Sequence, residues 1–483
     1  MGFLRHLSGY APARLSHAIA AFGGVYVFTR LLGPEDYGRY ALLVSLLALV
    51  HTASAAWAEA GAYRFGAGQG ARSAKAGHFA LALRMIGAAA LMGLACFLAL
   101  WFALRGMPEY SGAMPLLALL FAAGCLVQLA QETHRAGLNV ARYSLNETFH
   151  ILGGFLIGAA LAWQTGLGAL APLVGLLASR LVIASREGAW LFGQARGGRV
   201  AQGAGRAWRA YGVPVAVALV LDLVLSASDR FLIAAVLGEA AVGAYAAGYG
   251  IADKTVLMMC AWPAIAASPL LMARYEAAGA AAAGAEASKL ITAVLFVALP
   301  ATTGLALVAE PLSEAVIGAP LRGQAAEIIP WIAIAGLLNG LLVYVASEPY
   351  QLSRRTGLRA ALMAVPAILN IVLNLILLPR FGLMGAVYAT VISYAIGFFV
   401  LASAGRRLVP LAWPWMDAAK LIACCLAMAP AVWAAPNVGG WAQLLLEAGC
   451  GAAVYFSAAF VLDVAGVRAF VIRRAASETG HQT

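Results

Sequence analysis

The chain has 483 residues, of which 63% are hydrophobic and 11% charged, and its formal net charge is +11. A soluble domain carries roughly 25% charged residues, so a water-soluble fold is excluded and the apolar surface has to be met by lipid. The basic excess then belongs in cytoplasmic loops; a nucleic-acid partner is excluded, because no soluble domain exists to carry a basic patch.

In chain order, apolar segments lie near 12–32, 38–62, 78–104, 113–134, 148–164, 167–185, 211–236, 240–271, 288–309, 327–350, 359–379, 383–405, 415–435 and 440–462. Runs of about 20 apolar residues are read as membrane-spanning helices. The second and eighth segments are long enough to tilt or project into water. Starting from a cytoplasmic N-terminus and alternating, 25 of the 32 Lys and Arg residues fall on the cytoplasmic side. They include Arg5, Arg14, Arg64, Arg135, Arg142, Arg180, Arg186, Arg354, Arg355, Arg473 and Arg474. Six fall outside (Arg30, Arg39, Arg105, Arg230, Arg322 and Arg380), and Lys254 lies within a span. This split obeys the positive-inside rule, and one span more or fewer would reverse every later loop. Fourteen spans with both termini cytoplasmic is therefore the expected topology. No cleavable signal peptide is evident, and the first span reads as retained. The longest outward loop, at 310–327, is too short to fold alone. The six cysteines sit in apolar stretches without metal-ligand spacing and read as packing residues.

Two segments share the frame LG-x4-G-x-Y: Leu32, Gly33, Gly38 and Tyr40, and again Leu237, Gly238, Gly243 and Tyr245. A second echo pairs GLGAL at 166–170 with GLMGA at 382–386. Both echoes sit at matching places in a six-plus-six order of spans, the arrangement of transporters built from duplicated halves. The expected fold is all-α: about 14 transmembrane helices in two pseudo-symmetric six-helix lobes plus two C-terminal helices. The expected division is an N-terminal lobe at 1–200, a C-terminal lobe at 201–407, and two extra helices with a cytoplasmic tail at 408–483.

Four stretches carry a resemblance. RLLGPEDYGRYALLVSLLALV (30–50) resembles the opening signature of polysaccharide-biosynthesis transporters. SDRFLIAAVLGEAAVGAYAAGYGIADK (228–254) is similar to the second half of that family, SPLLMARYEAAG (268–279) to its Pro-x4-Arg element, and LNIVLNLILLPRFGLMGAVYATVISY (369–394) to its Asn-x3-Asn and Gly-x-x-Gly-Ala pattern. Together they identify the chain as similar to the Wzx-type oligosaccharidyl-lipid flippases, within the larger group that holds MATE drug exporters and the peptidoglycan-precursor flippase. The resemblance implies alternating access, and a polyprenyl-pyrophosphate-linked oligosaccharide carried from the cytoplasmic to the periplasmic leaflet of the inner membrane for surface or exopolysaccharide synthesis. Its partners would be the lipid-linked glycan and the bilayer, with a glycan polymerase and glycosyltransferases alongside.

Such a cargo needs a polar path, and embedded charges are expensive enough to mark one. In the second span, Ser45, Thr52 and Glu59 form a polar stripe; Glu59 is a candidate ion-coupling residue, or a partner for Arg64. In the fourth, Gln128, Gln131, Glu132 and Arg135 cluster, and Arg135 reads either as a phosphate contact or as an interface anchor. In the seventh, Asp222, Ser226 and Asp229 share a face with Arg230 adjacent. Asp222 and Asp229 are candidate coupling sites, Asp229 being equally a helix lock. In the eighth, Tyr245 and Tyr249 share a face suited to sugar stacking or to packing, and Lys254 follows. Arg230, Lys254, Arg135 and Arg64 are the candidate cationic lumen, and Glu348 in the tenth span is a further coupling candidate. Asn370 and Asn374 suit interhelical hydrogen bonds, while His51 and His150 read as structural. No nucleophile–base pair, phosphate-binding loop, metal motif or cofactor site is present, so energy is expected from an ion gradient rather than ATP. The rival readings are an exporter of small amphiphilic cations and, less well matched, a membrane glycan polymerase or ligase.

Overall fold

The computed structural model describes residues 9–66, 72–466 and 468; Arg5, Arg473 and Arg474, assigned above to the cytoplasm, lie outside them. Among the described residues every regular element is helical. The long helices are α1 (Ala11–Leu31), α2 (Pro34–Gly66), α3 (Arg72–Ala103), α4 (Met114–Ala136), α5 (Val140–Gln164), α6 (Ala171–Ala195), α7 (Ala204–Leu237) and α8 (Glu239–Leu307). They continue as α9 (Ala319–Leu352), α10 (Thr356–Phe381), α11 (Leu383–Gly405), α12 (Trp415–Trp433) and α13 (Gly440–Val461).

Twelve of these helices are long and apolar enough to cross a bilayer. One of the twelve, α8, has 69 residues, about 100 Å of helix against a hydrocarbon core of about 30 Å. Its helical path breaks at Gly279, where φ is 79° and ψ −174°, a conformation that a side chain would oppose. It therefore supplies two spans. α1, which carries Arg14, His17 and Arg30, is not among the twelve; taken as the first span, as the sequence indicates, it brings the membrane segments among the described residues to fourteen. Several boundaries agree to within a few residues; α3, α5, α7 and α9 begin six to eight residues before the expected spans, and α6 runs on to Ala195.

The chain divides into two compact units, 1–246 and 247–483. The division expected at the basic loop 190–209 follows the sequence repeat; the compact boundary falls later, because α7 packs along α2 inside the first unit. That packing is close because it is lined with glycine. A Cβ at Gly212 would fall 2.0 Å from the Trp57 carbonyl oxygen, and one at Gly61 would fall 1.8 Å from Trp208 Nε1. Trp208 is buried in the cleft thus left. It donates to the Ala58 carbonyl at 2.9 Å and stacks on His78 at 5.2 Å. Around it lies the core of this unit, including Leu43, Ala55, Leu117, Leu120, Phe121 and Leu129.

In the second unit α10 packs on α11, α9 on α11, and α12 on α13. Asn370 and Asn374 are fully buried there, and Asn374 Nδ2 donates to the Asn370 carbonyl at 2.9 Å.

The two units repeat a local device. The turn after α4 holds Leu138 at φ 55°, and the turn after α9 holds Arg354 at φ 56°. In each, the left-handed residue donates three residues back (Leu138 to Arg135, Arg354 to Gln351). The next residue donates five back (Asn139 to His134, 2.9 Å; Arg355 to Tyr350, 2.8 Å). This is the six-to-one bond of a Schellman helix end, here built twice on non-glycine residues.

Candidate functional site

The LG-x4-G-x-Y frames meet each other. A Cβ on Gly38 would lie 1.8 Å from the Glu239 carbonyl oxygen and 3.0 Å from the Gly243 nitrogen, so a glycine at 38 is required by the approach of two helix starts. The same place carries an ion-pair knot. Arg39 contacts Asp36 at 3.2 Å, Glu109 at 2.6 Å and Glu239 at 2.7 Å, and Tyr110 donates to Glu239. Arg39, which sequence reasoning had only assigned to an outward loop, thus ties the start of α2 to the start of α8 and to the segment between α3 and α4.

Deeper in the first unit, Asp229 is fully buried and accepts a 2.7 Å hydrogen bond from Tyr245, joining α7 to α8. Arg230, next along, reaches Ser45 Oγ of the α2 polar stripe at 3.5 Å. Asp222 is half-buried on α7. Tyr245 and Tyr249 are both buried, and the Tyr249 hydroxyl lies 3.4 Å from that of Tyr394. Both hydroxyls therefore have protein partners in this structure. Lys254 is exposed on α8, beside the buried Asp253.

Glu59 bonds to His51 at 2.8 Å, eight residues back along α2, not to Arg64 as one expectation had it. Arg64 is exposed and lies over the Tyr211 ring at 5.9 Å. Arg135 pairs with Glu132 at 2.7 Å and covers the Tyr63 ring at 5.0 Å. In the second unit, Glu348 is buried and accepts from Ser268 at 2.8 Å.

Several groups escaped sequence reasoning. Glu187 of α6 is fully buried and gathers His134 at 3.0 Å, Arg142 at 2.9 Å, Asn146 at 2.8 Å and Arg186 at 3.2 Å. Glu147 of α5 accepts from His17 and Gln131, each at 2.7 Å. Arg180, counted with the cytoplasmic basic residues although the expected span 167–185 contains it, is the tenth residue of the 25-residue helix α6. The expected span ended at 185, but the helix and its apolar face continue through Trp190 and Leu191, so Arg180 sits farther from the helix end than expected. An apolar groove of about 540 Å³, lined by Ala423, Ala427, Ala453, Ser457 and Val461, runs along α12 and α13.

Apolar helices of bilayer length, packed through buried polar contacts, make this a multi-pass membrane protein. The fold is similar to that of the lipid II flippase MurJ in its inward closed conformation. The match covers 94% of this chain and 98% of that one, with a TM-score of 0.74 at 12% identity. It is also similar to an inward-facing multidrug-resistance MATE transporter of the MOP superfamily, covering 81% and 93% of the two chains with a TM-score of 0.65 at 15% identity. A third likeness is to a MOP-superfamily transporter from Pyrococcus furiosus, over 84% and 94%, with a TM-score of 0.53 at 15% identity. No curated protein matches the chain in sequence. The model of the polysaccharide biosynthesis protein family matches residues 27–321, and the chain belongs to that family.

Proposed function

We propose that the chain flips a polyprenyl-pyrophosphate-linked oligosaccharide from the cytoplasmic to the periplasmic leaflet of the inner membrane, with both termini cytoplasmic. The observation that carries this reading is the coincidence of a polysaccharide-biosynthesis family match over residues 27–321 with a flippase-type fold over nearly the whole chain. Chemistry agrees with it. A diphosphate-linked sugar needs cations and hydrogen-bond donors inside hydrocarbon, and the first unit places arginines, histidines and amides there. The apolar groove along α12 and α13 suits an isoprenoid chain. A transporter of this kind moves its cargo without breaking a covalent bond, so the chain is not an enzyme.

The energy source in this reading is an ion gradient. Glu59, hydrogen-bonded to His51, is the coupling group best placed to exchange a proton with its neighbour, ahead of Asp222, Asp229 and Glu348. Arg230, Arg135, Arg64 and Lys254 are cations along the path. Deleting the gene and assaying the lipid-linked intermediate tests the proposal. The expected result is loss of surface polysaccharide with oligosaccharide-lipid held in the cytoplasmic leaflet, reversed by the intact gene. Normal polysaccharide in the deletion strain would reject it, and loss of drug resistance alone would favour the amphiphile exporter.

A further inference from the structure

Arg180 is a half-buried guanidinium in the middle of a membrane helix. Its Nε donates to His150 Nε2 at 2.9 Å, and its Nη1 donates to the Leu120 carbonyl at 3.1 Å. Both acceptors are neutral: a histidine nitrogen that accepts a hydrogen bond is unprotonated. Two of the five N–H groups are used, and among the described residues no carboxylate lies within ion-pair distance of it. The carboxylates that reach it electrostatically, Glu147 and Glu59, are held by His17 with Gln131 and by His51. A charge embedded this way costs on the order of 2.5–3.5 kcal/mol on insertion scales and is kept for a reason.

The residue opposite the guanidinium carries no side chain. Gly124 of α4 faces the guanidinium: a Cβ there would lie 3.1 Å from Arg180 Nη1 and 3.9 Å from His51 Nδ1. Arg180 and His51 therefore sit within about 7 Å of each other across a position with no side chain. Behind them α5 widens into a π-helical turn at Phe149–Gly153, a distortion common at functional sites. The turn carries His150, whose ring is buried and whose Nδ1 has no partner.

We propose that Arg180, flanked by His51 across Gly124, is a diphosphate-binding site within the first unit. The guanidinium offers its unused N–H groups as charge-assisted donors, and His51 supplies a second nitrogen. This deepens the flippase reading and rests on it.

The test is ligand binding to the purified full-length chain in nanodiscs, with farnesyl diphosphate, farnesol and inorganic pyrophosphate as probes. The wild type should bind farnesyl diphosphate, and Arg180→Gln should weaken that binding by about tenfold or more while leaving farnesol binding unchanged. Arg180→Gln also removes two contacts between helices, so Gly124→Ala serves as a second variant: it keeps the charge and crowds Nη1. It should weaken farnesyl diphosphate by several-fold, and it decides the matter should Arg180→Gln not fold. Pyrophosphate bound as tightly as farnesyl diphosphate, and lost in both variants, would keep the anion at Arg180 but assign it to a soluble source. A wild type that binds neither diphosphate sinks this site, while the flippase reading stands or falls separately on the deletion assay. Wild-type binding that the folded variants leave intact sinks the site alone.

Discussion

The two units bury their polar groups in different chemistry. In the first, carboxylates are met by arginine or histidine, mostly across helices: Glu187 with Arg142 and His134, Glu147 with His17, Arg39 with Glu239, and, along α2 itself, Glu59 with His51. In the second, the fully buried polar side chains are chiefly amides and hydroxyls, among them Asn370, Asn374, Thr390, Ser393 and Ser347. Its Lys289–Glu286 pair is one helical turn on an exposed face. Amides and hydroxyls hold helices together in lipid for about 1–2 kcal/mol or less each. Ionised networks are costlier to bury and costlier to break. The second unit also buries the carboxylates Asp253, Glu348 and Glu447, so the difference lies in the arginine and histidine partners of the first unit, which under the proposed function would meet a charged cargo.

The contrast can be broken or sharpened by substitution. The largest effect is expected from Glu187→Ala. It strands Arg142 and the buried His134 without their acceptor, at a cost of about 3–5 kcal/mol, read as a fall in thermal stability of the detergent-solubilised protein. A fall no larger than that of a surface mutant would mean the network is not structural. Next is Gly38→Ala, whose Cβ would collide with the Glu239 carbonyl. Forcing α2 and α8 apart should cost about 1–3 kcal/mol and reduce export. In the second unit, Asn374→Leu removes a hydrogen bond made along its own helix. A loss of about 0.5–1.5 kcal/mol with export largely kept would sharpen the comparison; lost export with full stability would break it. The smallest stability change is expected from Arg135→Gln, under about 1 kcal/mol, because Arg135 pairs with Glu132 at a partly exposed helix end. Export that falls while stability holds would then mark Arg135 as a cargo contact.

The spans were legible because length and hydropathy are local properties, and even the break at Gly279 falls in the stretch between two apolar segments. The repeat was legible in its glycines, although their purpose, the meeting of Gly38 with Glu239 and Gly243, depends on contacts about 200 residues apart. Networks of that kind leave no sequence spacing. Glu187 collects partners from α4 and α5, and Glu59 turns to His51 rather than to the nearer Arg64, because on a folded surface direction outweighs proximity in sequence. Tyr245 and Tyr249 share a face as their spacing indicates, yet what that face meets (Asp229 and Tyr394) is set by packing. Arg180 lay inside the expected span 167–185 yet was counted with the cytoplasmic charges, because the positive-inside pattern groups an arginine near a span's end with the loop beyond it; the helix running on to Ala195 sets it farther in.

The most direct test is translocation of a polyprenyl-diphosphate-linked oligosaccharide in proteoliposomes holding the purified chain. The flippase reading requires leaflet exchange that is faster than in empty liposomes, driven by an imposed proton or sodium gradient and slowed when both gradients are collapsed. Exchange no faster than in protein-free vesicles, with every gradient in place, would contradict it.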